Sequence, residues 1–155
     1  KSFNIFKDYR LIHQVGATNF LGDLEKANKL KSNNYLPVDF IDSQNIGAIL
    51  KKAKFVISRS GANTVWELAA LAKPAILVPL PIAAANEQYL NAKILEKAGS
   101  AIMIEENNLN VQNFKQAISN LEKNLNNYKN AADKFQKTLP VGAAAKLKLE
   151  ILRYT

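Results

Sequence analysis

Residues 59–64 and Glu67 form a segment suited to holding a phosphorylated or hydroxyl-rich ligand. Gly61 lets a ligand approach the backbone closely, and the helix predicted to begin here directs free N–H groups toward the same place. A carboxylate one turn into that helix can accept two hydroxyls of a ribose. The alternative is a helix capping box, in which Thr64 caps the helix and Glu67 follows three residues later.

A second segment opens another predicted helix and carries Glu87, Gln88 and Asn91. Gln88 and Asn91 share one face of the opening turn. An amide offers both a donor and an acceptor, which suits a neutral polyol. Ordinary helix-start residues are the equally weighted alternative.

Two shorter groups of candidate residues lie at the ends of the first two predicted strands. Phe40 and Ile41 could sandwich a flat base, with backbone groups reading its edge, or they could be core residues. His13, Gln14 and Gly16 are possible loop supports. A lone histidine at a strand end is more often structural than catalytic, and Gly16 suits a tight turn.

Apolar runs and amphipathic runs alternate along the chain. The predicted strands are residues 9–15, 34–41, 54–58, 74–80 and 100–105. The predicted helices are residues 20–31, 45–53, 63–72 and 86–99, followed by helices within 110–155. This alternation predicts an α/β domain with a Rossmann-like parallel sheet covered by helices on both faces.

The whole chain, residues 1–155, is predicted to be one domain. In such a sheet ligands bind beyond the carboxyl ends of the strands, where the four segments above converge. A doubly wound domain opens with a strand and a glycine-rich turn. Residues 1–6 are more typical of a helix end, so we expect the first strand and its loop to precede Lys1.

Composition narrows the classes of function. The chain has no cysteine and one histidine, so we expect neither a disulfide nor a metal site, and no cofactor is indicated. The formal net charge is +8, but the lysines are scattered and not interleaved with aromatic residues. We therefore expect a solvated basic surface and no nucleic-acid partner, with a peripheral membrane contact as the alternative. No nucleophile–base pair supports a hydrolase.

One combination of motifs resembles a known family. The segments "FVISRSGANTVWELAALAKPAILVPLP", "NEQYLNA" and "LEKAGSAIMI", preceded by "LIHQVG" and "VDFID", occur in matching order over residues 8–105. They are similar to the C-terminal, donor-binding domain of the bacterial peptidoglycan N-acetylglucosaminyltransferases, the MurG family. The resemblance implies one half of a two-domain, GT-B type enzyme.

The resemblance also implies a function. The family transfers N-acetylglucosamine from UDP-N-acetylglucosamine to a lipid-linked acceptor, making lipid II for the cell wall at the cytoplasmic face of the membrane. That role connects it with cell shape and cell division. The partners are then the donor, an N-terminal acceptor domain, the lipid-linked acceptor and the membrane surface.

Carried onto this sequence, the resemblance assigns a role to each candidate residue. Phe40 and Ile41 would hold uracil, and Glu67 the ribose. The residues implied near the sugar and phosphates, or bracing their loop, are Arg59, Ser60, Gly61, Ala62, Asn63, Thr64, Glu87, Gln88 and Asn91.

The sequence departs from the family in three respects. A Gly-Gly-Ser loop that contacts the diphosphate would lie before Lys1. Glu87 stands where the family often has His or Gln, and Ala85 and Asn86 replace polar or acidic residues. The acceptor domain and its base lie outside the chain, so we expect no turnover by the chain alone. The alternatives are another UDP-sugar transferase, which Glu87 favours, and a non-catalytic nucleotide-sugar-binding module.

Overall fold

The structure is a computed structural model that describes residues 9–16, 22–82 and 86–140. Strands and helices alternate through its first two-thirds, as predicted. The strands are β1 (Leu11–Gln14), β2 (Tyr35–Val38), β3 (Val56–Ser58), β4 (Ala75–Leu77) and β5 (Ala101–Met103). The helices are α1 (Asp23–Lys29), α2 (Ser43–Lys52), α3 (Ala62–Ala70), α4 (Glu87–Lys97), α5 (Val111–Lys123) and α6 (Leu125–Thr138).

All strand pairs are parallel, which confirms the predicted fold class. β1 pairs with β2, placing Leu11 beside Tyr35, and β3, β4 and β5 pair in that order. Within the described residues no backbone pairing joins the two groups. We call them the two-stranded and the three-stranded region. The described residues therefore form two separate strand groups, β1–β2 and β3–β4–β5, where the sequence predicted a single sheet.

The three-stranded region carries helices on both faces, as expected. Ala75 and Leu77 of β4 point toward α3 and α4, in a cluster that Phe135 and Leu139 complete. Alternate residues of a strand face opposite sides of the sheet. Ile76 accordingly packs in a second cluster on the other face, with the buried residues of α5. β4 is thus covered on both sides and forms the centre of the core.

The two-stranded region buries much less. The buried apolar side chains of β1, β2 and the helices α1 and α2 that follow them are Ala27, Tyr35, Pro37 and Leu50. Ile12 and Leu36 are register partners in the ladder, yet 43% and 44% of their surfaces are exposed. One face of this small sheet is therefore poorly covered by the described residues.

Helix ends are set by local chemistry. Asp42 caps α2 by accepting hydrogen bonds from the N–H groups of Gln44 and Asn45, and the Asn45 bonds hold the pKa of its carboxyl below the usual value. Gly99, at φ 73°, follows the last turn of α4, as its predicted end required. Lys73 donates to the carbonyl groups of Lys51 and Ala53, which ties the end of α2 to the start of β4.

The two helices after Asn110 are confirmed as α5 and α6. Three predicted segments lie outside the described residues. They are the helix end before β1, the small-residue turn at 83–85, and the last predicted helix at 143–155.

Candidate functional site

The loops that follow the strands of each region lie at its carboxyl edge, because the strands within a region are parallel. This edge carries the described candidate residues.

The start of α3 is open to a ligand. Gly61 is the N-cap residue, and no described side chain caps the first turn. Thr64 is consequently the third residue of the helix and not its cap, so the capping-box interpretation of Thr64 and Glu67 is wrong. Ala62, Asn63 and Thr64 form the opening turn, whose free N–H groups and dipole favour an anion.

The carboxylate of Glu67 is available. Its side chain is exposed, and it makes no hydrogen bond or ion pair to any described residue. No structural partner within the described part of the chain explains a glutamate here. No described group therefore competes with the hydroxyls of a ligand for the Glu67 carboxylate.

Gly61 is surrounded by open space. Its φ of −59° is accessible to any residue, and a Cβ built on it would meet nothing within 4 Å. Neither backbone strain nor packing requires glycine at this position. The described residues therefore leave open space beside the loop at Gly61.

Ser60 stabilises the loop after β3 from the interior of the protein. It is fully buried, and its hydroxyl donates to the carbonyl oxygen of Gln88 at 2.7 Å. The Nδ2 of Asn91 in turn donates a hydrogen bond to the carbonyl oxygen of Ser60 at 3.3 Å. These bonds join the loop after β3 to the first turn of α4. Ser60 and Asn91 hence support the edge, and the buried Ser60 hydroxyl does not face solvent.

Gln88 has a fixed amide orientation. Its Oε1 accepts the N–H of Leu80 at 3.0 Å, so its NH₂ group is the part left for a ligand. Glu87 directs a carboxylate oxygen along the helix to Asn91 Nδ2, at 3.4 Å. This direction leads away from the helix start, where an anionic ligand would lie.

Arg59 braces the edge and is already paired. Its Nη1 lies 2.7 Å from Glu106 Oε2 and donates to the carbonyl of Val78 at 3.3 Å. The loops after β3, β4 and β5 are thereby linked. Sequence reasoning missed Glu106, although an acid just after the last strand was the signal available for a partner to Arg59.

Phe40 and Ile41 differ in their burial. Phe40 is 65% exposed, so the interpretation of it as a core residue is wrong, whereas Ile41 is half-buried. The N–H of Phe40 donates to Asp39 Oδ1 at 2.7 Å, and the N–H of Ile41 donates to Gln14 Oε1 at 3.0 Å. Both backbone donors expected to read a base are engaged by side chains.

His13 has a structural environment. Its Nδ1 lies 2.8 Å from the hydroxyl of the buried Tyr35. Burial lowers the pKa of His13 and raises the pKa of Tyr35, so burial favours the uncharged form of both groups. Gly16 adopts φ 100°, a backbone conformation that favours glycine, and its N–H donates to the carbonyl of Asp39 at 3.0 Å.

The candidate site is a surface edge rather than an enclosed cavity. Two open surface depressions lie elsewhere in the described part of the chain, one beside α6 and the end of α4 and one beside β5 and α5, and neither includes a candidate residue. Among the described residues, no group of His, Cys, Asp or Glu could hold a metal ion. No described helix is long and apolar enough to cross a membrane.

Solved structures with this architecture are glycosyltransferases. Superposition on MurG of Acinetobacter baumannii gives a TM-score of 0.75 at 25% identity, covering 93% of this chain and 41% of that one. A glycosyltransferase of kitacinnamycin gives a TM-score of 0.70 at 19% identity, over 88% and 32% of the two chains, and shows the fold alone. The fold is that of one half of a GT-B glycosyltransferase.

Sequence relatives narrow this class. Residues 2–147 match the glycosyltransferase family 28 C-terminal domain, and the chain belongs to this family. A UDP-N-acetylglucosamine–N-acetylmuramyl-(pentapeptide) pyrophosphoryl-undecaprenol N-acetylglucosamine transferase of Prochlorococcus marinus is 32% identical over 98% of this chain and 41% of its own length. The protein of that name from Clostridium perfringens is 37% identical over 82% of this chain and 34% of its own length. The chain thus spans about two-fifths or less of these relatives.

Proposed function

We propose that this chain is the donor-binding half of an inverting glycosyltransferase that binds UDP-N-acetylglucosamine and contributes to making lipid II. The observation that carries the proposal is the open start of α3 with the unpartnered carboxylate of Glu67 one turn further on. Family membership and the names of the relatives support the same donor and reaction.

In this proposal each part of the edge meets one part of the donor. Phe40 and Ile41 hold uracil, and Glu67 accepts the ribose hydroxyls. The opening turn of α3 faces the diphosphate, where its N–H groups stabilise the charge that develops on the departing UDP. Gln88 donates from its NH₂ group to a sugar hydroxyl, while Ser60, Asn91 and Arg59 hold the loops in place.

The remaining parts of the enzyme are proposed to come from outside the chain. In a doubly wound sheet of strand order 3-2-1-4-5-6, the first strand of the chain lies in the middle, between the second and the fourth. Taking β1 to β5 as the second to sixth strands, the first strand lies between β1 and β3. The observed groups β1–β2 and β3–β4–β5 then lie on either side of it. We place a strand and its glycine-rich loop there, contributed from before Lys1. An acceptor domain supplies the base, and the full enzyme works at the cytoplasmic face of the membrane. Turnover by the 155-residue chain alone would contradict this division of labour.

A different sugar donor is the second candidate. Glu87 is the first residue of α4 and precedes Gln88, which we propose to bind the sugar; the MurG family often has His or Gln at the position of Glu87. The related fold of glycosyltransferases that act on natural products is compatible with this alternative. Competition between UDP-N-acetylglucosamine and UDP-glucose decides between the two donors.

The test is a calorimetric titration of the full-length protein with UDP. Glu67→Ala removes two charge-assisted hydrogen bonds and is expected to weaken binding about 30-fold or more. Glu25→Ala, which removes an exposed glutamate of α1, is the matched control and should bind as the unsubstituted protein does. Equal affinity of all three proteins would rule out the ribose role of Glu67. Absence of UDP binding by the unsubstituted protein would reject the proposed function.

A further inference from the structure

Gln14 extends the pairing of β1 and β2 beyond their last residues. The N–H of Val15 donates to the carbonyl of Val38 at 2.8 Å, and the N–H of Gly16 donates to the carbonyl of Asp39 at 3.0 Å. The Gln14 side chain then accepts the N–H of Ile41 at 3.0 Å. These three hydrogen bonds fasten the end of β2 and the residues that follow it to the end of β1 and the residues that follow it.

The turn that carries Phe40 has few other supports. Phe40 is 65% exposed, so packing in the core does not fix its position. On the far side of the turn, Asp42 is anchored as the cap of α2. The backbone of Phe40 and Ile41 is therefore held by the bond of the Phe40 N–H to Asp39 Oδ1, by the α2 cap and by the Gln14 amide.

We propose that Gln14 is the positioning residue of the base-binding turn. It rests on the proposed function, because the base is the uracil of the UDP donor. Gln14 does not contact the base itself but fixes the Ile41 backbone, and with it the ring of Phe40. A turn already ordered before binding loses less conformational entropy when the ligand arrives, and this raises affinity.

The proposal makes a specific demand on the side chain at position 14. An acceptor oxygen is needed there, whereas the amide N–H groups are not. Gln14→Leu keeps the approximate size and removes the acceptor. Gln14→Glu restores an acceptor oxygen and lacks the amide N–H groups. Gln116→Leu makes the same change on the exposed surface of α5 and is the matched control.

Two measurements on the full-length protein test the proposal. Amide hydrogen exchange of Ile41 should accelerate in Gln14→Leu and return toward the original rate in Gln14→Glu. UDP affinity should fall about fivefold in Gln14→Leu, the effect of one neutral hydrogen bond, and recover in Gln14→Glu. Gln116→Leu should change neither quantity.

A double-mutant cycle separates positioning from a general loss of stability. When Phe40 is already alanine, Gln14→Leu should cost less than about twofold, because no ring is left to position. In a Glu67→Ala background the fivefold loss should persist, because Glu67 binds another part of the ligand. Additivity with Phe40→Ala would overturn the positioning role.

The remaining outcomes are also decisive. Unchanged or tighter UDP binding in Gln14→Leu would overturn the inference while leaving the proposed function standing; tighter binding would mean that the Gln14 oxygen competes with the base. Unchanged exchange of the Ile41 amide would likewise overturn it. No UDP binding by the unsubstituted protein would reject the proposed function and this inference together.

Discussion

The two regions of the sheet differ in how they hold the candidate residues. In the three-stranded region, β4 is buried on both faces, and the loops above it are tied together by the buried Ser60 and by Arg59. In the two-stranded region few apolar side chains are buried, and the loop above it is held by hydrogen bonds at its ends. Packing therefore sets the position of one group of loops, and polar contacts set the other.

This difference matches the two kinds of recognition that we propose. Hydroxyl and phosphate groups need donors and acceptors at fixed distances, which a densely packed scaffold provides. A flat base needs a ring and a turn, which tolerate more adjustment. The comparison predicts that substitutions in the two regions have different consequences for stability and for binding.

The largest expected effect concerns core packing. Leu68→Ala, at a fully buried position of α3, should lower the free energy of unfolding by about 3 to 4 kcal/mol. Leu50→Ala in α2 should cost about 2 kcal/mol, because its thinner surroundings can close around the gap. Urea unfolding measures both values. Leu90→Ala, at an exposed position of α4, is the control and should change stability by less than about 0.5 kcal/mol. Equal losses at Leu68 and Leu50 would remove the contrast between the regions.

Substitutions at two glycines test the comparison between the regions, and their expected effects are of intermediate size. Gly16→Ala places a side chain at φ 100° and should cost about 1 to 2 kcal/mol of stability. Gly61→Ala should leave stability within about 0.5 kcal/mol, because its φ is ordinary and its surroundings are open. Gly61→Ala should nevertheless weaken UDP binding, since the new methyl group occupies the space proposed for the ligand. Undiminished UDP binding by Gly61→Ala would show that the ligand does not approach this loop closely.

The smallest expected effect is the pH dependence of the two-stranded region. Burial lowers the folded-state pKa of His13 below its ordinary value of 6.5. Below that pH the unfolded chain binds more protons, so acid favours unfolding, and this contribution to stability is lost as the pH falls through 6.5 toward the folded-state pKa. His13→Gln should make stability less dependent on pH between about 7.5 and 5.5. Identical pH profiles for the two proteins would mean that His13 is not desolvated in the folded state.

Much of the fold was predictable from the sequence. Buried parallel strands are continuous apolar runs, so residues 54–58 and 74–80 were recognised, although the ladders themselves are shorter. The division of the sheet was not predictable, because hydrophobic periodicity does not report which strands are neighbours.

The candidate site was predictable in its location but not in its internal contacts. Glycine, helix starts and strand ends are local signals, and they placed the site at the carboxyl edge. The bonds of Ser60 with Gln88, Arg59 with Glu106 and Gln14 with Ile41 join residues that are distant in the sequence. Apart from the acid after the last strand, the sequence carried no local sign of them.

The thin packing of the two-stranded region has a consequence for local opening. Few apolar side chains are buried there, and Ile12 and Leu36 remain partly exposed in the folded protein. Little apolar burial is lost when such a region opens, so it can open while the three-stranded region stays folded. We therefore expect the backbone amides of β1 and β2 to exchange with solvent faster than those of β4.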